Sequence, residues 1–173
     1  MKEISKQVEN AIKDSIKLEI NGRKFFDHAA EITENEKGKK MFQFLAAEEV
    51  KHLEVFGEMF SKILGGLDWR QYVPSAQLRG ESPLVEKLKE RISKKERPSE
   101  VEALSIGMEL ETNAIRHFEA ASRETDDPVA KKIFREIAEE EKFHYDLLQA
   151  QYDSVMHTGN WLGSAEFQMD GKW

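Results

Sequence analysis

Residues 39–52 read KKMFQFLAAEEVKH, and residues 131–144 read KKIFREIAEEEKFH. The two stretches align without a gap, and both end in the pattern Glu-x-x-His. Apolar residues recur in both at steps of three and four, which is the period of an amphipathic helix. Each helix therefore carries a carboxylate and an imidazole on its apolar stripe. The two pairs are Glu49 with His52, and Glu141 with His144.

A second pair of stretches repeats at the same distance along the chain. LEINGRKFFDHAAE, starting at Leu18, aligns onto LETNAIRHFEAASRE, starting at Leu110, and 110 − 18 gives the shift of 92 that also relates the first pair. This alignment places Glu19 over Glu111. The sequence is thus a duplicated helical hairpin, in which each copy has one glutamate on its first helix and Glu-x-x-His on its second.

The periodicity predicts four long amphipathic helices. Their predicted ranges are about 3–33, 38–64, 99–124 and 128–156. Gly65 and Gly66 are expected to end the second helix, and Ser99 is expected to cap the third. Asp127 is expected to cap the fourth, with Pro128 at its first position. Together the helices predict an all-α four-helix bundle over residues 1–157.

The connections between the helices are unequal in length. Short turns join the first helix to the second and the third to the fourth, so each pair is expected to form an antiparallel hairpin. Residues 65–98 form a long crossover that can run the length of the bundle, with a short helix predicted around residues 83–92. The predicted topology is two hairpins joined by one long crossover.

Composition excludes several classes of protein. A chain of 173 residues with 39% hydrophobic residues is sufficient for one domain. Its 33 acidic and 26 basic residues give a net charge of −7, which argues against nucleic-acid binding. The absence of cysteine excludes disulfides and thiolate metal sites. Neither a signal peptide nor an apolar run of membrane-spanning length is present, so we expect a cytoplasmic protein that does not contact a membrane.

Four carboxylates and two imidazoles lie on the stripes that face the predicted core. They are Glu19, Glu49, His52, Glu111, Glu141 and His144. Buried carboxylates are stable only when they are protonated or when they hold a compensating charge, and two divalent cations would balance four carboxylates. Oxygen and nitrogen ligands suit iron or manganese, and also zinc. Glu48 and Glu140 adjoin these residues but fall off the stripes, so we expect them on solvated helix faces.

This ligand pattern on four helices with a long crossover resembles the ferritin-like di-iron carboxylate superfamily, and within it the rubrerythrin-like proteins. The resemblance implies a site for two iron ions, with O₂ or hydrogen peroxide as the substrate. It implies no catalytic residue beyond the metal ligands. It also implies that Glu49 and Glu141 bridge the metals. The remaining ligands would complete the two metal positions as pairs, Glu19 with His52 and Glu111 with His144.

Three departures from the rubrerythrin pattern affect the functional prediction. Rubrerythrins usually add an iron–sulfur domain with four cysteines, so a chain without cysteine is expected to need a separate electron-donor protein. Ala114 stands where the family commonly has a further glutamate, and Phe26 stands where a tyrosine is common. A peroxidase or ferroxidase is therefore the first expectation. The alternatives are an iron-storage or iron-handling protein, a manganese catalase-like protein, and a bundle that uses its metals for stability alone.

The last segment, residues 158–173, lies outside the repeat. It concentrates Trp161, Phe167 and Trp173 among glycines. Such aromatic residues are expected to pack on the bundle or on a neighbouring subunit. We also expect a homodimer, because exchange of identical hairpins is a low-cost route to dimers.

Overall fold

The computed structural model describes residues 5–63, 66, 68–71 and 82–163. Over these residues the chain is all-α, as predicted, and contains five α-helices and one 3₁₀ turn. The helices are α1 (Lys6–Ile32), α2 (Glu36–Ile63), α3 (Pro83–Ser93), α4 (Ser99–Glu124) and α5 (Pro128–Thr158), and the 3₁₀ turn is Trp69–Gln71. None of the described helices combines the length and apolar character needed to cross a membrane.

Most helix ends follow from local capping chemistry. The Asp127 carboxylate accepts hydrogen bonds from the backbone N–H groups of Val129 and Ala130 (3.0 and 2.8 Å), so the predicted cap of α5 is confirmed. The prediction that Ser99 caps α4 is wrong. Pro98 is the capping residue, because its carbonyl already accepts hydrogen bonds from the third and fourth residues beyond it (3.0 and 3.1 Å). Ser99 is consequently the first helical residue.

Helix α2 ends where the sequence predicted a stop. Gly66 has a φ of +93°, a left-handed conformation that glycine adopts without strain, and its N–H donates to the carbonyl of Ser61 at 2.7 Å. Gly65 lies outside the described residues, as do residues 72–81 of the predicted crossover. The short crossover helix predicted around residues 83–92 is present as α3.

The bundle consists of two hairpins, α1 with α2 and α4 with α5, which pack together mainly through α1 and α4. Helix α3 packs against α4 and α1. Its Lys87 and Arg91 form ion pairs with Glu109 of α4. Arg91 and Arg97 also lie within 3.7 and 2.9 Å of the nearly buried carboxylate of Glu102, which anchors the crossover to the second hairpin.

The interior has two apolar clusters with a polar layer between them. One cluster is built around Phe26, Phe42 and Leu148. The other is built around Phe56 and Phe118, whose rings stack with centroids 5.4 Å apart. Each long helix contributes to both clusters, and the stripe residues between the clusters are the predicted metal ligands. The helix period therefore places all six at one level of the bundle.

The beginning of the C-terminal segment packs on the bundle. Trp161 is 5% exposed, its ring meets Phe42 edge to face at 6.1 Å, and its Nε1–H donates to Glu100 at 3.3 Å. The buried side chain of Gln151 exchanges two hydrogen bonds with the backbone of Leu162 (2.8 and 2.9 Å). Phe167 and Trp173 lie outside the described residues, so the prediction for the tail as a whole stays a prediction.

Candidate metal centre

The structure brings all six predicted residues into one buried cluster, in which no side chain is more than 3% exposed. Their ligand atoms form two overlapping groups, each with all atoms within 4.8 Å of one another. The groups are Glu19, Glu49, His52 and Glu141, and Glu49, Glu111, Glu141 and His144. Glu49 and Glu141 belong to both. The geometry is therefore that of two adjacent four-residue sites that share two carboxylates.

Both imidazoles turn Nδ1 towards the carboxylates. His52 Nδ1 lies 3.1 Å from Glu141 and 3.5 Å from Glu19. His144 Nδ1 lies 2.8 Å from Glu141 and 3.7 Å from Glu111. The two rings are stacked, with centroids 5.8 Å apart and planes 23° apart. Glu141 thus lies between two imidazoles, one contributed by each hairpin.

Gly22 makes room for the carboxylate of Glu49. A Cβ atom built at position 22 would lie 3.1 Å from Cδ of Glu49 and 3.2 Å from its Oε2. These distances are shorter than ordinary van der Waals contact, so a larger residue would displace the carboxylate. Helix α1 therefore contributes Glu19 to the cluster and, one turn further, a residue without a side chain.

Most polar atoms of the cluster have no hydrogen-bond partner among the described residues. These atoms are both carboxylate oxygens of Glu19, Glu49 and Glu111, Oε1 of Glu141 and Nδ1 of His52. Buried polar atoms are ordinarily paired, because an unpaired one loses its hydration without compensation. A group of unpaired oxygen and nitrogen atoms that converge on one place has the character of a cation site.

The pKa values of the cluster residues reflect their burial and the closeness of four carboxylates. Burial, together with the charges of neighbouring glutamates, raises the pKa of Glu49 and Glu111 well above the ordinary value. Burial alone would lower the pKa of His52, but the Glu19 charge, the hydrogen bond to Glu140 and the closeness of Glu141 raise it well above 6.5. Burial also disfavours ionised Glu141, yet hydrogen bonds and charge from the two histidines hold its pKa well below 4.5. Burial and mutual repulsion therefore oppose ionisation of Glu49 and Glu111, whereas the two histidines favour ionised Glu141.

One polar contact of the cluster was not predicted from the sequence. His52 Nε2 lies 2.8 Å from Oε2 of Glu140, whose side chain is 45% exposed. Glu140 is nearly half exposed, as predicted for a solvated helix face, but it also contacts a residue of the buried cluster. The off-stripe position is correct, but a glutamate is long enough to reach a histidine on the neighbouring helix. Helical periodicity in the sequence does not predict such a contact. The hydroxyl of Tyr145, which follows His144 in the chain, donates to Oε1 of Gln149 at 3.3 Å.

The fold and the site together define a ferritin-like helical bundle with a carboxylate and histidine cluster suited to two metal ions. The family model for Rubrerythrin matches residues 10–152, which include all four long helices and all six cluster residues. The chain belongs to the Rubrerythrin family, and the predicted resemblance is confirmed.

Among solved structures, the chain is similar to a hypothetical protein from Pyrococcus furiosus. The two are 23% identical, the TM-score is 0.65, and the match covers 86% of this chain and 90% of the other. At this identity the likeness supports the shared fold. No curated protein sequence matches the chain significantly.

Proposed function

We propose that the chain binds two iron ions in this cluster and reduces hydrogen peroxide or O₂ there, as a peroxidase or ferroxidase. The observation that carries the proposal is the convergence of unpaired buried oxygen and nitrogen atoms from four helices. Membership of a family that typically binds iron supports the choice of metal. Manganese and zinc accept the same ligand types, so metal identity is part of the test.

The residues present fit two divalent ions in number, charge and ligand type. Glu19 and His52 would hold one ion, and Glu111 and His144 the other. Glu49 and Glu141 lie within reach of both positions. Four carboxylates balance the charge of two divalent cations, and metal would compete with protons for the same ligand atoms.

When bound, two iron(II) ions supply the two electrons that, with two protons, convert hydrogen peroxide into two molecules of water. The chain's own residues provide the surroundings. The apolar clusters above and below the polar layer exclude water from it, and the four helices fix the ligands on rigid elements. Because the 173 residues contain no cysteine, we include a separate electron-donor protein in the proposal.

The test is metal content and peroxide reactivity after anaerobic loading with iron(II). The affected variant carries Glu49→Gln and Glu141→Gln, which remove the two shared charges and preserve side-chain shape. The control variant carries Glu54→Ala and Glu136→Ala, two exposed carboxylates on the same two helices. We expect about two irons per chain in the wild type and the control, and a loss of both in the affected variant.

A pulse of peroxide separates the functional alternatives. Rapid oxidation of the bound iron, repeated when a reductant is added, would support the peroxidase. Oxidation by O₂ with accumulation of many irons per chain would support iron storage instead. Manganese bound in preference to iron, with release of O₂ from peroxide, would support the catalase-like alternative. Equal iron in the wild type and the affected variant would overturn the proposed site.

A further inference from the structure

The two halves of the metal centre differ in the contacts made by the outer nitrogens of their histidines. His52 Nε2 lies 2.8 Å from the carboxylate of Glu140, which comes from the opposite hairpin. In the repeat, the residue that corresponds to Glu140 is Glu48, and the residue that corresponds to His52 is His144. Within the described part of the chain, Nε2 of His144 has no hydrogen-bond acceptor. The two hairpins therefore carry the same set of predicted ligands, but the contacts of the outer histidine nitrogens differ between them.

The sequence explains why the asymmetry arises. Glu48 forms an ion pair with Lys51, one helical turn away on α2, and its side chain is 15% exposed. The repeat counterpart of Lys51 is Phe143, so α5 offers Glu140 no cation at the corresponding position. The Phe143 ring instead meets the His144 ring edge to face at 6.2 Å. Lys51 is hydrogen bonded to Glu48, and its charge also interacts with Glu140 on the other hairpin. On α5, a phenylalanine stands where α2 has this lysine.

The Glu140 contact determines how His52 can bind a metal. An ionised carboxylate only accepts hydrogen bonds, so Nε2 must carry the hydrogen that lies between His52 and Glu140. The lone pair of the neutral ring then resides on Nδ1, the nitrogen that faces Glu19 and Glu141. The same hydrogen bond fixes the orientation of the ring and makes Nδ1 a stronger donor.

We propose that Glu140 is a positioning residue for His52, and that it makes the metal position of Glu19 and His52 the one that fills first. This inference rests on the proposed metal site. His144 is not held in this way by a described residue. Nδ1 of both histidines contacts Glu141 (3.1 Å from His52 and 2.8 Å from His144), so the two positions differ at the outer nitrogens and not in this inner contact.

The test is a titration of the metal-free protein with Co²⁺ in competition with a chelator, followed through the visible absorption of the bound ion. We expect two resolved steps in the wild type. Loss of an outer partner of a ligating histidine lowers affinity by about 10- to 100-fold. Glu140→Ala should lower the affinity of the first step by that factor and leave the second within about threefold. Glu140→Gln, which keeps an acceptor oxygen, should restore part of the loss.

Two controls isolate the contact. Glu48→Ala removes the repeat counterpart, and Glu136→Ala removes an exposed carboxylate one turn away on α5. Both should leave the two steps within about threefold of the wild type. Thermal unfolding of the metal-free Glu140→Ala protein should remain a single transition with a melting temperature a few degrees lower, because Nε2 of the buried His52 loses its acceptor while Glu140 itself is nearly half exposed.

A spectroscopic readout identifies which histidine is affected. In the Co²⁺ protein, the exchangeable Nε2–H protons of both ligating histidines give shifted NMR signals, and Glu140→Ala should broaden or move only the His52 signal. Equal losses in Glu140→Ala and Glu48→Ala, or no loss in either, would overturn the inference while the metal site stands. Failure of the wild type to bind Co²⁺ at all would instead overturn the proposed function.

Discussion

Substitution of Gly22 by alanine should separate the stability of the metal-free bundle from its affinity for metal. Gly22 lies inside α1, where alanine is more favourable than glycine by about 1 kcal/mol. The added methyl would sit 3.1 Å from Cδ of Glu49, so the carboxylate must move by a few tenths of an ångström. In the metal-free protein this movement breaks no hydrogen bond with a described residue. The variant should therefore be as stable as the wild type, or more stable by up to about 1 kcal/mol.

The same movement has a different consequence once metal is bound. Glu49 is then fixed by the ions, and crowding a fixed group in a packed core costs roughly 1–3 kcal/mol. At 1.4 kcal/mol for each factor of ten, metal affinity should fall by about 5- to 150-fold. Thermal unfolding with chelator measures the first effect, where 1 kcal/mol corresponds to a shift of about 2–4 °C for a chain of this size. Chelator competition measures the second.

Gly107→Ala is the matched control for this experiment. A Cβ at position 107 would meet Cδ1 of Leu148 at 3.2 Å, a contact of similar closeness that lies in the apolar core. It should change stability and leave metal affinity intact. Unchanged metal affinity in Gly22→Ala, or an equal loss of affinity in both variants, would refute the argument that Gly22 accommodates a metal-binding carboxylate.

Three further predictions concern the cluster and its packing. Glu111→Gln should raise the melting temperature of the chelated protein and abolish binding of one of the two metals, because it replaces a buried carboxyl group, whose ionisation is unfavourable there, by a neutral amide; a lower melting temperature would contradict this. The chelated wild type should melt at progressively lower temperatures as the pH rises above the ordinary values of 4.5 for the glutamates and 6.5 for His52. The pKa values of Glu49, Glu111 and His52 are raised in the folded state, so the stability that their protonation provides is lost as the pH climbs towards those values, and a rising melting temperature would reverse the sign. Phe118→Ala should lower the free energy of unfolding by about 3–5 kcal/mol, because the ring is fully buried against Phe56. Urea titration measures this loss, and a loss below about 1 kcal/mol would contradict the prediction.

The repeat made the main features of the fold and the ligand cluster predictable from the sequence. Periodicity alone places Glu49 and His52 on a core stripe, but only the shift of 92 residues connects them with Glu141 and His144. The structure then brings these residues together because the stripes of four packed helices meet at one level. Their role as metal ligands stays a prediction until metal is measured.

The features that the sequence did not reveal depend on side-chain reach. Glu140 is one position off the stripe, and helical periodicity assigns it to solvent, yet its length lets it contact His52 on another helix. Gly22 lies one helical turn after Glu19, but the sequence does not show why a glycine is needed there. The structure does, because a Cβ atom at this position would crowd the carboxylate of Glu49. Serine is a preferred capping residue, so the sequence predicted Ser99 as the cap of α4. Pro98 is the cap instead, because its carbonyl accepts the first hydrogen bonds of the helix.

The arrangement of the core bears on whether the cluster serves only stability. Among the residues that the structure describes, seven phenylalanines are fully buried, and they lie in two apolar clusters on either side of the polar layer. Burial of each contributes roughly 1.5–3 kcal/mol, so the bundle has a large source of stability that does not depend on metal. Glu49 and Glu111 oppose it, because their raised pKa values mean that their ionisation is unfavourable in the folded state. A bundle that needed only stability would gain from apolar residues at these positions. Four buried glutamates therefore favour a role in which bound metal reacts, and we expect the chelated protein to remain folded while losing all reactivity with peroxide.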